Sequence, residues 1–114
     1  MSDRELLEMA ARAAGIELVG GSKTPMVRDA GDLDYMREWR PLTDDGDALR
    51  LAVKLRLEIE RSKHSECVVY VGEAGAGQLF ERSDETTDIF AATRRAIVRA
   101  AAEIGRTMTT ESVR

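Results

Sequence analysis

The chain has 114 residues, of which 43% are apolar and 33% are charged, so we expect one globular domain rather than a disordered segment. The single cysteine, Cys67, excludes an internal disulfide and a cysteine-based zinc site, and no apolar run approaches the roughly 20 residues that cross a bilayer. A net charge of −4 argues against a broad, nonspecific polyanion binder, and together these features predict a soluble, intracellular protein.

The N-terminal segment carries the signals of a helix over residues 2–14. Ser2 and Glu5 have the spacing of a capping box, in which each side chain satisfies a free backbone N–H of the first turn. Gly15 is expected to end this helix. Residues 16–19 are then predicted to form a short strand.

Residues 26–39 have a less regular pattern. A turn at residues 29–32 predicts a small hairpin with arms at residues 26–27 and 33–35. A helical turn near residues 35–39 is the alternative.

A second helix is predicted over residues 45–55. Pro41 disfavours helix at Arg40, and Thr43 or Asp44 is expected to cap the first turn. The helix has a wide apolar face that we expect to be buried, formed by Ala48, Leu49, Ala52, Val53 and Leu55. Arg50 and Lys54 have the spacing of a solvated stripe.

The C-terminal half predicts strands and then a long helix. Apolar and charged residues alternate over residues 57–61, and residues 67–71 are apolar on both faces, which is typical of a central strand covered on both sides. Residues 78–82 are predicted to form a third strand. The last helix is expected over residues 86–104.

Gly105 is expected to end the last helix, which has an apolar face that includes Phe90. Residues 107–114 are then predicted to form a flexible tail. These elements predict one α+β domain over residues 1–106, a small αβα sandwich with a mainly antiparallel sheet of three to four strands and helices at about 2–14, 45–55 and 86–104.

Three aspartates, Asp44, Asp45 and Asp47, lie at the start of the second helix. An EF-hand loop fails here because its ligand spacing falls on Pro41 and its closing acid on Ala52. A magnesium site with few protein ligands stays open. Helix capping is the favoured interpretation, since acids in a first turn bind free N–H groups and complement the helix dipole.

Other motifs also fail on spacing. GGSKTP, at residues 20–25, has Glu17 and Ser22 where a P-loop needs glycines, and GEAGAGQLF, at residues 72–80, lacks the dinucleotide-loop spacing. His64 and Cys67 lie close in sequence, but a cysteine that begins an apolar strand is usually inert. The sequence therefore assigns no catalytic, metal-binding or cofactor-binding residue and no cofactor.

Two groups of side chains are candidates for binding. Arg94, Arg95 and Arg99 in the last helix are candidate phosphate contacts, although a solvated helix face is the favoured interpretation. Tyr35 and Trp39 are expected to be core or half-buried, and a patch for a partner is the alternative.

Three segments, SDRELLEMAARAAGI, WRPLTDDGDALRLAVKL and AATRRAIVRAAAEIGR, resemble, in that order, small proteins encoded in tailed bacteriophages and prophages. That family is associated with a phage αβα-sandwich domain. Its motif reads Trp-Asn-Pro-Leu before the acids, and this chain has Arg40 at the asparagine position. The resemblance implies a phage origin, a location in the cytoplasm of the bacterial host and the sandwich fold, and it brings no activity, cofactor or catalytic residue.

The leading hypothesis is a non-enzymatic phage accessory protein that binds a host or phage protein. Its predicted interaction surface consists of Trp39, Arg40, Asp44, Asp45 and Asp47. An alternative is nucleic-acid binding through the last helix, which requires Arg95 and Arg99 to be exposed together. A metal-dependent enzyme that uses the three aspartates is the weaker alternative, and an exposed sheet edge would favour homo-oligomers.

Overall fold

The computed structural model describes residues 2–19, 26–28, 36–61, 69–73, 81–82 and 88–112. Within these ranges the chain forms three helices and six strands, so the predicted α+β class is confirmed. In chain order the elements are α1 (Asp3–Ala14), β1 (Leu18–Val19), β2 (Met26–Arg28), β3 (Met36–Glu38), α2 (Asp45–Lys54), β4 (Leu57–Arg61), β5 (Val69–Glu73), β6 (Glu81–Arg82) and α3 (Ile89–Ser112).

Local sequence sets both ends of α1. The Ser2 hydroxyl accepts a hydrogen bond from the N–H of Glu5 at 3.2 Å, as the capping box predicts. Gly15 has φ +69°, a left-handed conformation that costs glycine little, and the N–H of Ile16 reaches back to the carbonyl of Ala11 at 2.9 Å. The predicted start and end of this helix are confirmed.

A turn around the buried Pro41 leads into α2. The carbonyl of Arg40 accepts hydrogen bonds from the N–H of Thr43 at 3.1 Å and of Asp44 at 2.7 Å. The Asp44 carboxylate then accepts the N–H of Asp47 at 2.8 Å and caps the helix. Asp44 is thus the cap among the two candidates.

The prediction that Gly105 ends the last helix was wrong. α3 continues through Gly105 to Ser112, so residues up to 112 of the expected tail are helical. A Cβ built at Gly105 would lie 1.9 Å from the carbonyl oxygen of Met9. A glycine is needed here because α1 and α3 cross in close contact. Gly105 therefore allows the helices to pack and does not end α3. At the other end, Asp88 accepts the N–H of Phe90 at 3.0 Å.

The strands form two separate antiparallel sheets. The first has the order β1-β2-β3 and the second β4-β5-β6, so the described strands are divided where one sheet of three to four was expected. Strand pairing joins distant segments and is not fixed by local pattern. The hairpin prediction holds for β2 and β3, but its second arm lies at Met36–Glu38, later than expected.

β5 is the central strand of the second sheet, as predicted, yet its two faces differ. Val69 and Val71 are fully buried, whereas Tyr70 between them is half-buried. On the Tyr70 face, the neighbouring strand β4 presents exposed Glu58 and Glu60. The expected burial is therefore complete at Val69 and Val71 on one face and partial on the other, where Gly72 is buried and Tyr70 is half-buried.

The core is built from small side chains where α1 meets α3 and from larger ones under α2. Leu51 and Trp39 are only 2% and 3% exposed. The fully buried alanines allow close approach of the helices and are Ala10, Ala92, Ala96, Ala100 and Ala101. Although α3 has 24 residues, neither it nor any other helix in the described ranges is long and apolar enough to cross a membrane.

Candidate functional site

The three aspartates of the opening turn of α2 have three different surroundings. Asp44 caps the helix, and Asp45 is exposed and binds Arg94, with 2.6 Å between Oδ1 and Nη1. Asp47 is buried. Within the described ranges no group of three or more His, Cys, Asp or Glu side chains is placed to hold a metal ion. The geometry of these aspartates gives the metal-enzyme alternative no support.

Asp47 joins β3, the Pro41 turn and α2. Its Oδ1 accepts hydrogen bonds from Arg37 Nη1 at 2.9 Å and Arg50 Nη2 at 3.2 Å, and its Oδ2 accepts the backbone N–H of Arg40 at 2.8 Å. Burial by itself would raise the pKa of this carboxyl, but the hydrogen bonds from Arg40, Arg37 and Arg50 outweigh it and hold the pKa below its ordinary value. Asp47 is therefore a buried, charged carboxylate that links β3, the Pro41 turn and α2 through hydrogen bonds.

Trp39 and Asp47 line a pocket of about 470 Å³ between the end of α1, the first sheet and α2. Its apolar wall is formed by Ile16, Val27, Trp39 and Leu51, and its charged groups are Glu17, Arg37, Asp47, Arg50 and Lys54. Arg50 and Lys54 are exposed, as the predicted solvated stripe requires. The sequence pattern gave no sign that this stripe borders a cavity.

The predicted interaction surface is divided by this geometry. Trp39 is 3% exposed, in agreement with the expectation that it packs in the core, and Asp47 is also 3% exposed. Arg40, Asp44 and Asp45 are exposed. In this conformation only those three of the five residues are open to a partner protein.

The arginines of α3 are partly buried and engaged. Arg94 is 17% exposed, and its Nε donates to the carbonyl of Leu42 at 2.9 Å. Arg95 Nη2 donates to Asp3 at 3.2 Å, and Arg99 is half-buried. The nucleic-acid alternative needs Arg95 and Arg99 to be exposed together, and these contacts do not provide that.

Four large apolar side chains are exposed where α2, β4 and the start of α3 meet. Leu49 is 60% exposed, Val53 68%, Phe90 67% and Ile59 42%, and we call these four residues the β4 surface. Leu49, Ile59 and Phe90 line a shallow groove of about 180 Å³, with Asp45 and Arg94 at its margin.

The expected burial of Leu49 and Val53 was wrong, and Phe90 on the predicted apolar face of α3 is also exposed. The buried stripe of α2 consists of Asp47, Ala48, Leu51 and Ala52, which is rotated relative to the predicted face. Adjacent helix positions differ by about 100°, so a broad apolar face can be buried along either margin. The apolar residues of α2 cover a wider part of the helix surface than the described core can bury. This excess width was the one sign in the sequence that some of them would be exposed.

Several predicted motifs lie outside the described residues. These are the GGSKTP segment, Tyr35, His64, Cys67 and residues 74–80 of the glycine-rich segment. Their predictions stay as they were.

Comparison with known proteins found no match. No family model fits the chain, and neither a curated protein nor a solved structure matches it. The phage resemblance stays a prediction.

Proposed function

We propose that this chain is a non-enzymatic protein-interaction module, a phage or prophage accessory protein that binds an extended segment of a host or phage protein along β4. The observation that carries the proposal is the β4 surface, where four large apolar side chains remain exposed beside a sheet edge. The phage setting rests on the resemblance of the three sequence segments alone.

The apolar side chains supply the driving force. Contiguous exposed apolar groups rimmed by polar residues are typical of interaction sites. Full burial of a Leu, Val, Ile or Phe side chain is worth about 1.5–3 kcal/mol relative to full exposure. Leu49 and Val53 lie one turn apart on α2, so they offer adjacent positions to the same bound chain.

The strand edge supplies direction. Among the strands that the structure describes, β4 ends the second sheet in the order β4-β5-β6, and four of its five residues, from Glu58 to Arg61, are exposed. An edge strand presents unpaired N–H and C=O groups, and an extended peptide can add to it as a further strand.

The charges of β4 select the bound chain. Glu58 and Glu60 point to the face opposite Ile59, and their cross-strand neighbours in β5 are Gly72 and Tyr70, which carry no positive charge. An added strand would place alternate residues beside these carboxylates and the others beside Ile59. The partner segment should therefore alternate basic and apolar side chains.

A second copy of β4 is a poorer occupant. About a twofold axis, every antiparallel register that pairs at least three of the residues Leu57–Arg61 places glutamate opposite glutamate. Directly opposed like charges destabilise a strand pair. Charge complementarity therefore favours a different, basic chain.

The test uses a synthetic peptide of about seven residues in which lysine alternates with valine. Amide resonances of Glu58–Arg61 should shift saturably on titration. Peptides with the same composition in blocked order, or with glutamate in place of lysine, should bind at least about tenfold more weakly, because they cannot match both faces of the strand.

Two variants locate the site. The double variant Leu49→Gln, Phe90→Gln should weaken peptide binding about tenfold, because it removes apolar contact area without emptying the core. Met108→Gln is the matched control, since Met108 is a 41% exposed apolar residue about 27 Å along α3 from Phe90. Equal binding of the ordered and blocked peptides, or equal losses in both variants, would contradict the proposal.

A further inference from the structure

We infer that the pocket lined by Trp39 and Asp47 binds a small monoanion with an apolar body, of the aromatic or aliphatic carboxylate class. This site is separate from the β4 surface and does not depend on the proposed function. The inference rests on the size of the cavity, its apolar wall and the excess of positive charge among its described lining residues.

The cavity has the dimensions and composition of a ligand site. Its volume of about 470 Å³ lies within the range of about 300–1,000 Å³ that is typical of small-molecule pockets. Its walls come from three parts of the fold: the end of α1, the first sheet and α2. A ligand there would contact groups held in place by separate elements.

The apolar wall is already formed. Val27, Trp39 and Leu51 are 5%, 3% and 2% exposed, so their positions are fixed by the core around them. These three side chains present little surface to the cavity, so most of the apolar contact with a ligand would come from the half-buried Ile16 and from the methylene groups of Arg50 and Lys54.

The charged groups favour one negative charge. Among the described residues that line the cavity, Arg37, Arg50 and Lys54 are balanced by Glu17 and Asp47, which leaves an excess of one positive charge. Arg50 and Lys54 are exposed and lie one turn apart on the same side of α2. A monoanion would neutralise this excess, whereas a dianion would reverse it.

Asp47 positions the cations. It binds Arg50 through Nη2 alone, at 3.2 Å, and a guanidinium carries five N–H donors, so further donors of Arg50 are available to a ligand. It also binds Arg37 at 2.9 Å. A carboxylate that anchors two guanidinium groups reduces the ordering that ligand binding would otherwise require.

The experiment compares 1-naphthylacetate with 1-naphthylacetamide, which has the same aromatic body and no charge. The chain has one tryptophan, so a single indole N–H resonance reports on the pocket wall at Trp39. We expect millimolar naphthylacetate to shift this resonance saturably. The amide should bind about tenfold more weakly or not at all, since it lacks the charge that the cations attract.

Paired variants test the residues. Arg50→Gln with Lys54→Gln should weaken naphthylacetate binding about three- to tenfold and leave amide binding unchanged. Arg4→Gln with Arg106→Gln removes the same charge elsewhere and should have little effect. Leu49→Gln with Phe90→Gln should also leave binding unchanged, which separates this pocket from the β4 surface. No saturable shift of the indole resonance, equal binding of acid and amide, or loss in the Leu49, Phe90 variant would overturn the inference.

Discussion

Asp47 shows how one buried carboxylate can fix a turn and a helix start together. Its three donors come from β3, from the backbone before Pro41 and from the second turn of α2. Without the carboxylate, the N–H of Arg40 would lose its acceptor in a partly buried site, which costs about 1–3 kcal/mol. The guanidinium groups are more exposed and would recover water.

We predict that Asp47→Asn lowers the free energy of unfolding by about 1–3 kcal/mol at neutral pH, because the amide offers one acceptor oxygen and places N–H groups against donors. The folded pKa of Asp47 lies below the ordinary value of 3.8. Its stabilisation is therefore complete above the ordinary pKa and is lost as the pH falls through the folded pKa. Urea unfolding across the acid range should show a smaller loss of stability in the variant than in wild type.

Asp45→Asn is the matched control for this prediction. Asp45 is 74% exposed and pairs with Arg94, and exposed ion pairs contribute about 0–1 kcal/mol. This variant should stay close to wild type at neutral pH. If Asp47→Asn keeps the full acid-range slope of wild type, Asp47 is not the group responsible for it.

Local and long-range interactions explain which residue roles were predictable. Ser2, Gly15 and Asp44 act within a few positions of themselves, so their capping roles could be predicted from spacing. The bond from Arg37 to Asp47 spans ten positions and exists only once the Pro41 turn has formed. No pattern in the acidic segment indicates Arg37 as a partner. The sequence therefore predicted a capping role for all three aspartates, whereas Asp47 links three parts of the fold.

At the scale of elements, α1 and α3 cross in close contact. Ala10 on α1 and Ala96 and Ala100 on α3 are fully buried. Small side chains bring two helices near enough for backbone contact, and Gly105 completes the crossing at Met9. Close approach also raises the cost of any added atom there.

We predict that Gly105→Ala lowers the free energy of unfolding by about 3 kcal/mol or more, because its methyl group would overlap the carbonyl of Met9 and force the helices apart. Helix propensity alone would predict the opposite sign. Gly46→Ala is the control: the nearest atoms to its new methyl are side-chain atoms of Arg50 and Asp44 at 3.2 Å, and stability should change by about 1 kcal/mol or less. Thermal or urea unfolding of both variants measures the difference. A stabilised Gly105→Ala protein would mean that the crossing is looser than described.

The elements themselves could be predicted more fully than their arrangement. Helical spacing and strand alternation depend on neighbouring residues, and α1, α2 and β4 appear close to the predicted positions. The division into two sheets, and the margin of α2 that is buried, depend on contacts between distant segments. Leu49 and Val53 were therefore expected in the core and lie on the β4 surface.

At the scale of the whole molecule, α2 stands between the two proposed sites. Arg50, Leu51 and Lys54 line the pocket, while Leu49 and Val53 belong to the β4 surface. Because the two sets lie on different sides of one helix, the two proposals are compatible: a small anion and an extended peptide would not compete for the same residues. In the proposed function the glutamates of β4 would have two roles, because they would attract basic segments and oppose pairing with another β4.

We predict that Glu58→Gln with Glu60→Gln increases self-association, because it removes the opposed charges that every well-paired antiparallel β4 register would contain. Sedimentation velocity over a concentration series should detect dimers of the variant at concentrations where wild type sediments as a monomer. Glu5→Gln with Glu8→Gln changes the net charge equally on α1 and should behave as wild type, which separates the strand edge from a general loss of repulsion. The same β4 variant should bind the lysine–valine peptide more weakly, since the carboxylates that recognise it are gone. If both charge-matched variants associate equally, the glutamates of β4 do not specifically prevent strand pairing, and the effect comes from net charge alone.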